Sequence, residues 1–367
     1  MKMIRLRKAL TAAAVIMLLC TALAGCGATE VKGDITVTDT LGREVLIADG
    51  AEKFVCIGPG CLRLYCYVGD TTQLVGVEDM EKKIVGRPYI MAYPELADLD
   101  IIGAGGPNNA PDGEKLLVAE PDVIFTMYNS DAASVDELQN KTGIPVIALS
   151  YGTTEVFDPL VDRSLELIGE VTGHQDRAAE IIAYFAELKA DLENRVKDIP
   201  GADKPTVYLG AQSMRGMHGI ESTSGNFSLF NAIKARNVVD EAGISQNIML
   251  DKEKLLEMDP EVIFIDAGGL SLVQEDYKTN TSFYTGLQAV KNGKVFLELP
   301  YNYYYTNIEI AIANAFYMGS VLYPEKFADI DPKVKFNEIT QKLLAKDLYE
   351  QVAQDYYGGY QQVVFKK

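Results

Sequence analysis

The sequence predicts an α/β protein of two similar βα lobes, each with a mostly parallel central sheet, joined by one long helix. Three observations carry this. Short β-branched runs alternate with helical periodicity on both sides of residue 175, the pattern of parallel strands covered by helices on both faces. Residues 175–198 place Ala178, Ile181, Ile182, Phe185, Leu188, Leu192 and Val196 at three-and-four spacing before Pro200 and Gly201 stop the run. At ~1.5 Å per residue that is a rod of roughly 35 Å, close to the diameter of a small domain. Finally, DGEKLLVAEPDVIF at 112–125 returns 139 residues later as DKEKLLEMDPEVIF at 251–264, a spacing far beyond any solenoid period.

Taken in order, the first lobe starts with a hairpin-like ITVTDTLG from Asp34 and a buried strand at 54–58. Gly58-Pro59-Gly60 opens a helix through Val68, a short strand follows at 74–77, and an irregular mixed-charge stretch fills 78–100. Strands at 100–103, 123–127 and 145–150 are separated by helices from about Glu114 and near 135–141. After the rod the pattern restarts with a strand at 206–210, a helix at 227–235 and an extended piece at 238–239. The repeated element and a strand at 294–299 come next, and helices at 308–322 and 337–357 close the chain. Thr306 and Glu309 have the spacing of a capping box for the helix at 308. The organisation expected is a signal segment 1–25, a tether 26–33, an N-terminal lobe 34–172, an inter-lobe helix 173–199 and a C-terminal lobe 200–367.

The 367 residues, 48% apolar and 23% charged, are enough for two cores. Lys2, Arg5, Arg7 and Lys8 precede an apolar run that ends in Leu23-Ala24-Gly25-Cys26. That is a secretory signal closed by a bacterial lipobox, with Cys26 as the lipidated N-terminus and an exported, membrane-anchored location. Residues 1–25 hold four basic and no acidic side chains, so removing them takes the net charge from −18 to −22. A surface this acidic excludes nucleic acid and anionic lipid as partners. Cys56, Cys61 and Cys66 cannot all pair, match no zinc spacing and read as small buried hydrophobes. No nucleophile elbow, Walker loop, HExxH or dinucleotide fingerprint is present, and two histidines cannot form a three-histidine metal site.

A lipobox, two βα lobes joined by one helix, and the paired Glu-x-Leu-Leu-x-x-x-Pro-(Asp/Glu)-Val-Ile element resemble the class III substrate-binding proteins of ABC importers for iron–siderophore, haem and cobalamin. The stretches GRPYIMAYPE at 86–95 and PYNYYYTN at 300–307 resemble the iron-complex and metal-binding branch of that family. The resemblance implies a monomeric receptor with no covalent cofactor and a ligand cleft between the two lobes. It would hand an iron complex to a permease and its ATPase, docking through one glutamate per lobe, which the repeat places at Glu114 and Glu253. Cargo in open α/β sheets sits where loops leave the C-terminal strand ends. Those loops offer Arg63, Arg87, Tyr89, Asn129, Arg215, His218, Tyr303, Tyr304 and Tyr305 as ligand contacts. Arginines supply planar charged donors and tyrosines stacking faces or, for bare iron, phenolate ligands. Haem, a corrinoid or a small metal oxyanion would suit the same loops. A chelatase with His218 as base is the competing enzymatic reading, which the export signal disfavours.

Overall fold

The computed structural model describes residues 34–365 except 84, 107, 130 and 154, so the expected signal segment, Cys26 and the tether lie outside the described residues. The hairpin β1 (Ile35–Thr38) and β2 (Glu44–Ile47) leads to β3 (Phe54–Ile57) and α1 (Cys61–Val68). Gly60 starts α1 with φ 82°, and a Cβ there would lie 2.7 Å from the Tyr151 ring, so both backbone and space demand glycine. All eight α1 residues are buried, Arg63 among them. Next come β4 (Val77–Glu78), α2 (Pro88–Ala92), β5 (Ile101–Gly103), α3 (Gly113–Ala119), β6 (Val123–Thr126), α4 (Ala132–Thr142) and β7 (Val146–Ala148). Strands β3, β6 and β7 pair in that order, all parallel.

Two helices link the lobes: α5 (Pro159–Thr172), which the periodicity reading overlooked, and α6 (Gln175–Val196). Asp158 caps α5 through Leu160 N, Pro159 fills its first turn and Gly173 ends it at φ 75°. Gly169 lets the pair pack closely, since a Cβ there would stand 2.9 Å from the Ala178 Cβ.

The second lobe comprises β8 (Thr206–Gly210), β9 (Ser222–Ser224), α7 (Ser228–Ala232), β10 (Arg236–Asn237), α8 (Val238–Glu241), β11 (Asn247–Met249), α9 (Lys252–Met258) and β12 (Val262–Asp266). It continues with α10 (Leu270–Thr279), α11 (Thr281–Gly286), α12 (Gln288–Lys291), β13 (Val295–Glu298), α13 (Ile308–Leu322), α14 (Pro332–Leu344), α15 (Tyr349–Asp355) and β14 (Gln361–Gln362). Its sheet runs β10-β8-β12-β13-β14, parallel except for β14.

The repeat is visible atom by atom. Strands β6 and β12 are the middle members of their triplets and begin 139 residues apart. Asp122 accepts from Glu52 N and Lys53 N at 2.9 and 2.8 Å, and Glu261 accepts from Thr206 N at 2.8 Å. Each carboxylate pins the neighbouring strand in register, so the change from Asp to Glu is a change of reach rather than of role. Glu120 and Asp259 end the repeated helices in the left-handed region at φ 49° and 37°.

Three local expectations are corrected. Residues 238–239 are not extended: Asn237 accepts from Val239 N at 3.1 Å and starts a helical turn. The helix expected at 337–357 is two helices, broken at Ala345 with φ 56°. The capping box is absent, because Asn307 occupies the cap and Glu309 turns inward to accept from the Tyr67 hydroxyl. One apolar core runs from α1 and α6 across to α13, α14 and α15, so the lobes share buried surface.

Candidate functional site

Five of the nine residues expected to touch ligand do come together, but as an inter-lobe seam. Arg63 is fully buried and every guanidinium nitrogen is engaged. Nε donates to Asn307 Oδ1 at 3.2 Å, and Nη1 to the Tyr151 hydroxyl and the Thr306 carbonyl at 3.1 and 2.9 Å. Nη2 donates to the carbonyls of Tyr303 and Tyr304, both at 3.1 Å. Arg87, equally buried, pairs with Glu81 at 2.6 Å and donates to Met80 O at 2.8 Å. Tyr89 lies beneath both, its hydroxyl 2.5 Å from Glu81 and its ring 4.8 Å from the Arg63 guanidinium. Tyr303 stacks its ring 5.4 Å from the Arg87 guanidinium. Tyr304 crosses into the first lobe, donating to Glu78 at 2.8 Å and accepting from Gly106 N at 2.9 Å.

Arg87 and Tyr89 are withdrawn as cargo contacts because they are buried around Glu81 within the first lobe. There Arg87 Nε has no hydrogen-bond partner among the described residues, and the guanidinium meets the second lobe only through the Tyr303 and Tyr304 rings. Arg63 and Tyr304 are withdrawn because their polar atoms hold loop 301–307 against the first lobe. That fixation sustains two consecutive non-glycine residues in the left-handed region, Tyr304 at φ 53° and Tyr305 at φ 70°. Such backbone costs of order 1–3 kcal/mol per residue and persists only where surroundings impose it.

What the strained loop presents is Tyr305. It stands 39% exposed at the mouth of a cavity of about 220 Å3 between the lobes, its ring 4.6 Å from that of Tyr151. The first lobe contributes Thr153, on the loop after β7. The loop after β8 brings Gln212 and Met214, the turn into α7 brings Asn226, Phe227 and Ser228, and the loop after β13 brings Tyr301, Asn302, Tyr305 and Thr306. Ser224 and Asn247 close the side through the β9–β11 pair. Among the described residues, tyrosine is the only ionisable side chain on this lining. Gln212 Oε1 and Ser228 Oγ are buried with no hydrogen-bond partner among the described residues.

Arg215 and His218 do not line the cavity, although they share a loop with Met214, which does. Arg215 is exposed, at φ 54°, while the His218 ring donates from Nε2 to the Met214 carbonyl at 2.9 Å and so clips the loop shut. Asn129 is half-buried and donates to the Leu149 carbonyl. The residues overlooked in the sequence are the neutral ones, Thr153, Gln212, Ser224, Asn226, Ser228, Asn247, Asn302 and Thr306. Their signal was position alone, since serine, threonine and asparagine are ordinary loop residues.

Beneath the cavity, Asp266 and Glu298 are register partners at the ends of β12 and β13, both buried. Asp266 accepts from Ser213 N at 2.9 Å and Gly268 N at 2.8 Å, and Glu298 accepts from Asn314 Nδ2. Burial raises both carboxyl pKa values, and Asp266 raises Glu298 further. The folded state thus binds more protons than the unfolded chain above the ordinary Glu value of 4.5, and stability falls as pH rises through that window. Glu298→Gln fixes the neutral form. It is expected to leave the urea midpoint unchanged at pH 4.5 and to raise it at pH 8, each pKa unit being worth about 1.4 kcal/mol. Equal midpoints for both proteins at pH 8 would rule out this group.

The described residues contain no cluster of three or more histidine, cysteine, aspartate or glutamate side chains fit to hold a metal, and no helix among them is long and apolar enough to cross a membrane. Cys56, Cys61 and Cys66 are free and buried.

Comparison with known proteins gives this architecture a family. The molybdate-binding protein MolA of Haemophilus influenzae is 27% identical over 330 residues, covering 84% of this chain and 90% of that protein. The solved structure of MolA bound to molybdate superposes with a TM-score of 0.65 at 26% identity, covering 86% of this chain and 99% of that one. The Fe(3+)-citrate-binding protein YfmC of Bacillus subtilis is 24% identical over 293 residues, 77% of this chain and 86% of that protein. A periplasmic solute binding protein of Veillonella parvula shares the fold at TM-score 0.70 and 17% identity, covering 88% of this chain and 97% of that one. Residues 65–299 match the family described as periplasmic binding protein; the chain belongs to it, and is a solute-binding protein of the ABC-transporter type rather than an enzyme.

Proposed function

We propose that the chain is an extracytoplasmic, lipid-tethered receptor whose cargo is a compact, oxygen-rich anionic metal species, delivered to an ABC permease and its ATPase. The observation that supports this best is the lining of the inter-lobe cavity: about 220 Å3 edged by neutral hydroxyls and amides. Pockets for drug-sized ligands run to roughly 300–1,000 Å3, so haem, a corrinoid and a bulky siderophore are disfavoured on size. A small oxyanion suits converging neutral donors. The likeness to MolA, described as molybdate-binding, points the same way.

An iron complex fits best in compact form, as a ferric carboxylate, a reading favoured by the similarity to the Fe(3+)-citrate-binding protein and by the Tyr301 and Tyr305 phenols on the lining. Burial raises both phenol pKa values, with Glu298 and Asp266 adding at Tyr301 and Asp158 at Tyr305. Both stay protonated at neutral pH and serve as O–H donors to an anion rather than as phenolate ligands to bare iron.

Calorimetric titration of the purified protein tests the reading. Molybdate or ferric citrate is expected to bind with Kd of ~1 μM or tighter, equivalent to about −8 kcal/mol. Tyr305→Phe is expected to weaken binding about tenfold, or ~1.4 kcal/mol. Saturable binding of haem or a hydroxamate siderophore, with neither small probe bound, would overturn the compact-cargo reading. Attachment through lipid on Cys26, a monomeric state and docking through Glu114 and Glu253 complete the proposal. Both glutamates are exposed in the first turns of α3 and α9, with no ion pair among the described residues.

A further inference from the structure

The cleft continues behind the cavity. A groove of about 220 Å3 runs where loop 155–157, helix α6 and helix α7 meet, and Ser228 lines both spaces. Ser228 is 8% exposed, and its Oγ makes no hydrogen bond with any described residue. Buried hydroxyls are normally partnered, so one without a protein partner between the cavity and the groove points to a ligand atom that would satisfy it.

The groove also carries fixed charge, which the front cavity lacks. Lys189 of α6 and Lys234, just past the end of α7, both line it, and neither ammonium makes an ion pair or a hydrogen bond among the described residues. Lys189 acts on the Asp162 carboxyl of α5, lowering a pKa that burial and Glu166 raise. Beside Lys234 stands a second cation: Lys204 Nζ donates to the Lys234 carbonyl at 2.8 Å, and its pKa is lowered by burial and by the Lys234 charge. Glu155, on the loop, and Glu193, one turn along α6 from Lys189, also line it, and Phe157 supplies an apolar side. A fully anionic arm would meet both carboxylates as well as both ammonium groups. An arm bearing carboxylate and hydroxyl together suits this mixture better, the carboxylate accepting from the lysines and the one hydroxyl donating to a glutamate.

We propose that this groove is a second subsite of the cleft, taking the hydroxycarboxylate arm of a metal-bound polycarboxylate whose metal centre occupies the front cavity, with the Ser228 hydroxyl bridging the two. The inference rests on the reading of the front cavity as the cargo site. It divides cargo by reach: a bare tetrahedral oxyanion fills the front space alone, whereas a polycarboxylate chelate uses both.

The test titrates sodium molybdate, ferric citrate and free citrate into the wild-type protein and into Lys189→Gln/Lys234→Gln. Both lysines are exposed, and matching thermal melts establish that the double variant folds. Ferric citrate affinity is expected to fall at least tenfold further than molybdate affinity in the double variant. Free citrate is expected to compete with ferric citrate in the wild type and not in the variant. Ser228→Ala is expected to weaken ferric citrate as well. Equal losses for the two metal probes, or wild-type binding of molybdate without ferric citrate, overturn the second subsite and leave the front cavity standing. Failure of the wild type to bind either metal probe overturns the front-cavity reading and the subsite with it.

Discussion

Replacing Arg63 with leucine is expected to lower the unfolding free energy by about 3–5 kcal/mol, more than any other single change considered for this chain. The reason is the number of acceptors that one guanidinium serves. Asn307 Oδ1 and the carbonyls of Tyr303, Tyr304 and Thr306 all receive from it, and all belong to the loop that crosses from the second lobe. Leucine fills part of the volume but takes the donor from Asn307 Oδ1 and from the Tyr304 and Thr306 carbonyls, while the Tyr303 carbonyl keeps Asn307 Nδ2 at 3.1 Å. It also removes the positive charge facing Glu309, whose Oε1 already lacks a partner among the described residues. Arg63→Lys keeps the charge, yet a point-like ammonium cannot span acceptors arranged for a planar fork, so a partial loss is expected. Urea denaturation of the three proteins measures the order. Because the same loop carries Tyr305 and Thr306 to the cavity, Arg63→Leu is also expected to weaken cargo binding at temperatures where it remains folded. A leucine variant within 1 kcal/mol of wild type would mean that the seam is held by its apolar contacts instead.

The seam explains why the site was harder to read in the sequence than the fold. The repeat at 112–125 and 251–264 announces itself through spacing, because strand register and helix caps require the same residue types in both lobes. Helix α6 was legible from its stripe. Helix α5 was not, although Asp158, Pro159 and Gly173 mark both its ends. Arginine and tyrosine at strand ends look like ligand contacts, and here Arg63, Arg87, Tyr89 and Tyr304 are engaged with one another across a lobe boundary that no one-dimensional pattern reveals. The cavity is instead lined by Gln212, Ser224, Ser228, Asn247 and Thr306, residues whose placement depends on three loops converging. Glu309 shows the same limit: its spacing from Thr306 fits a cap, and only the packing of α1 against α13 turns it towards Tyr67.

Reversing both Glu114 and Glu253 to lysine is expected to abolish transport of cargo into cells while leaving cargo affinity within twofold of wild type. The two carboxylates occupy matching first turns, on helices 139 residues apart in the repeat, and both point into solvent. Each is followed three positions later by an exposed leucine, Leu117 at 48% and Leu256 at 36% exposure, so each lobe offers the same charged and apolar pair. A receptor presenting one such pair per lobe suits a permease presenting two equivalent basic patches, and two weak contacts made together bind more tightly than either alone. Placing a lysine against a basic patch costs several kcal/mol per contact, so the double reversal exceeds what the remaining surface can offset. A single reversal leaves one contact and should reduce transport without abolishing it. Neither glutamate lines the cavity or the groove behind it, which is why binding should be spared. Labelled-cargo uptake in cells that express each variant, beside calorimetry on the same proteins, separates the two effects. Unimpaired uptake by the double variant would remove both glutamates from the docking surface, whereas a parallel loss of cargo binding would assign them to the fold of their lobes.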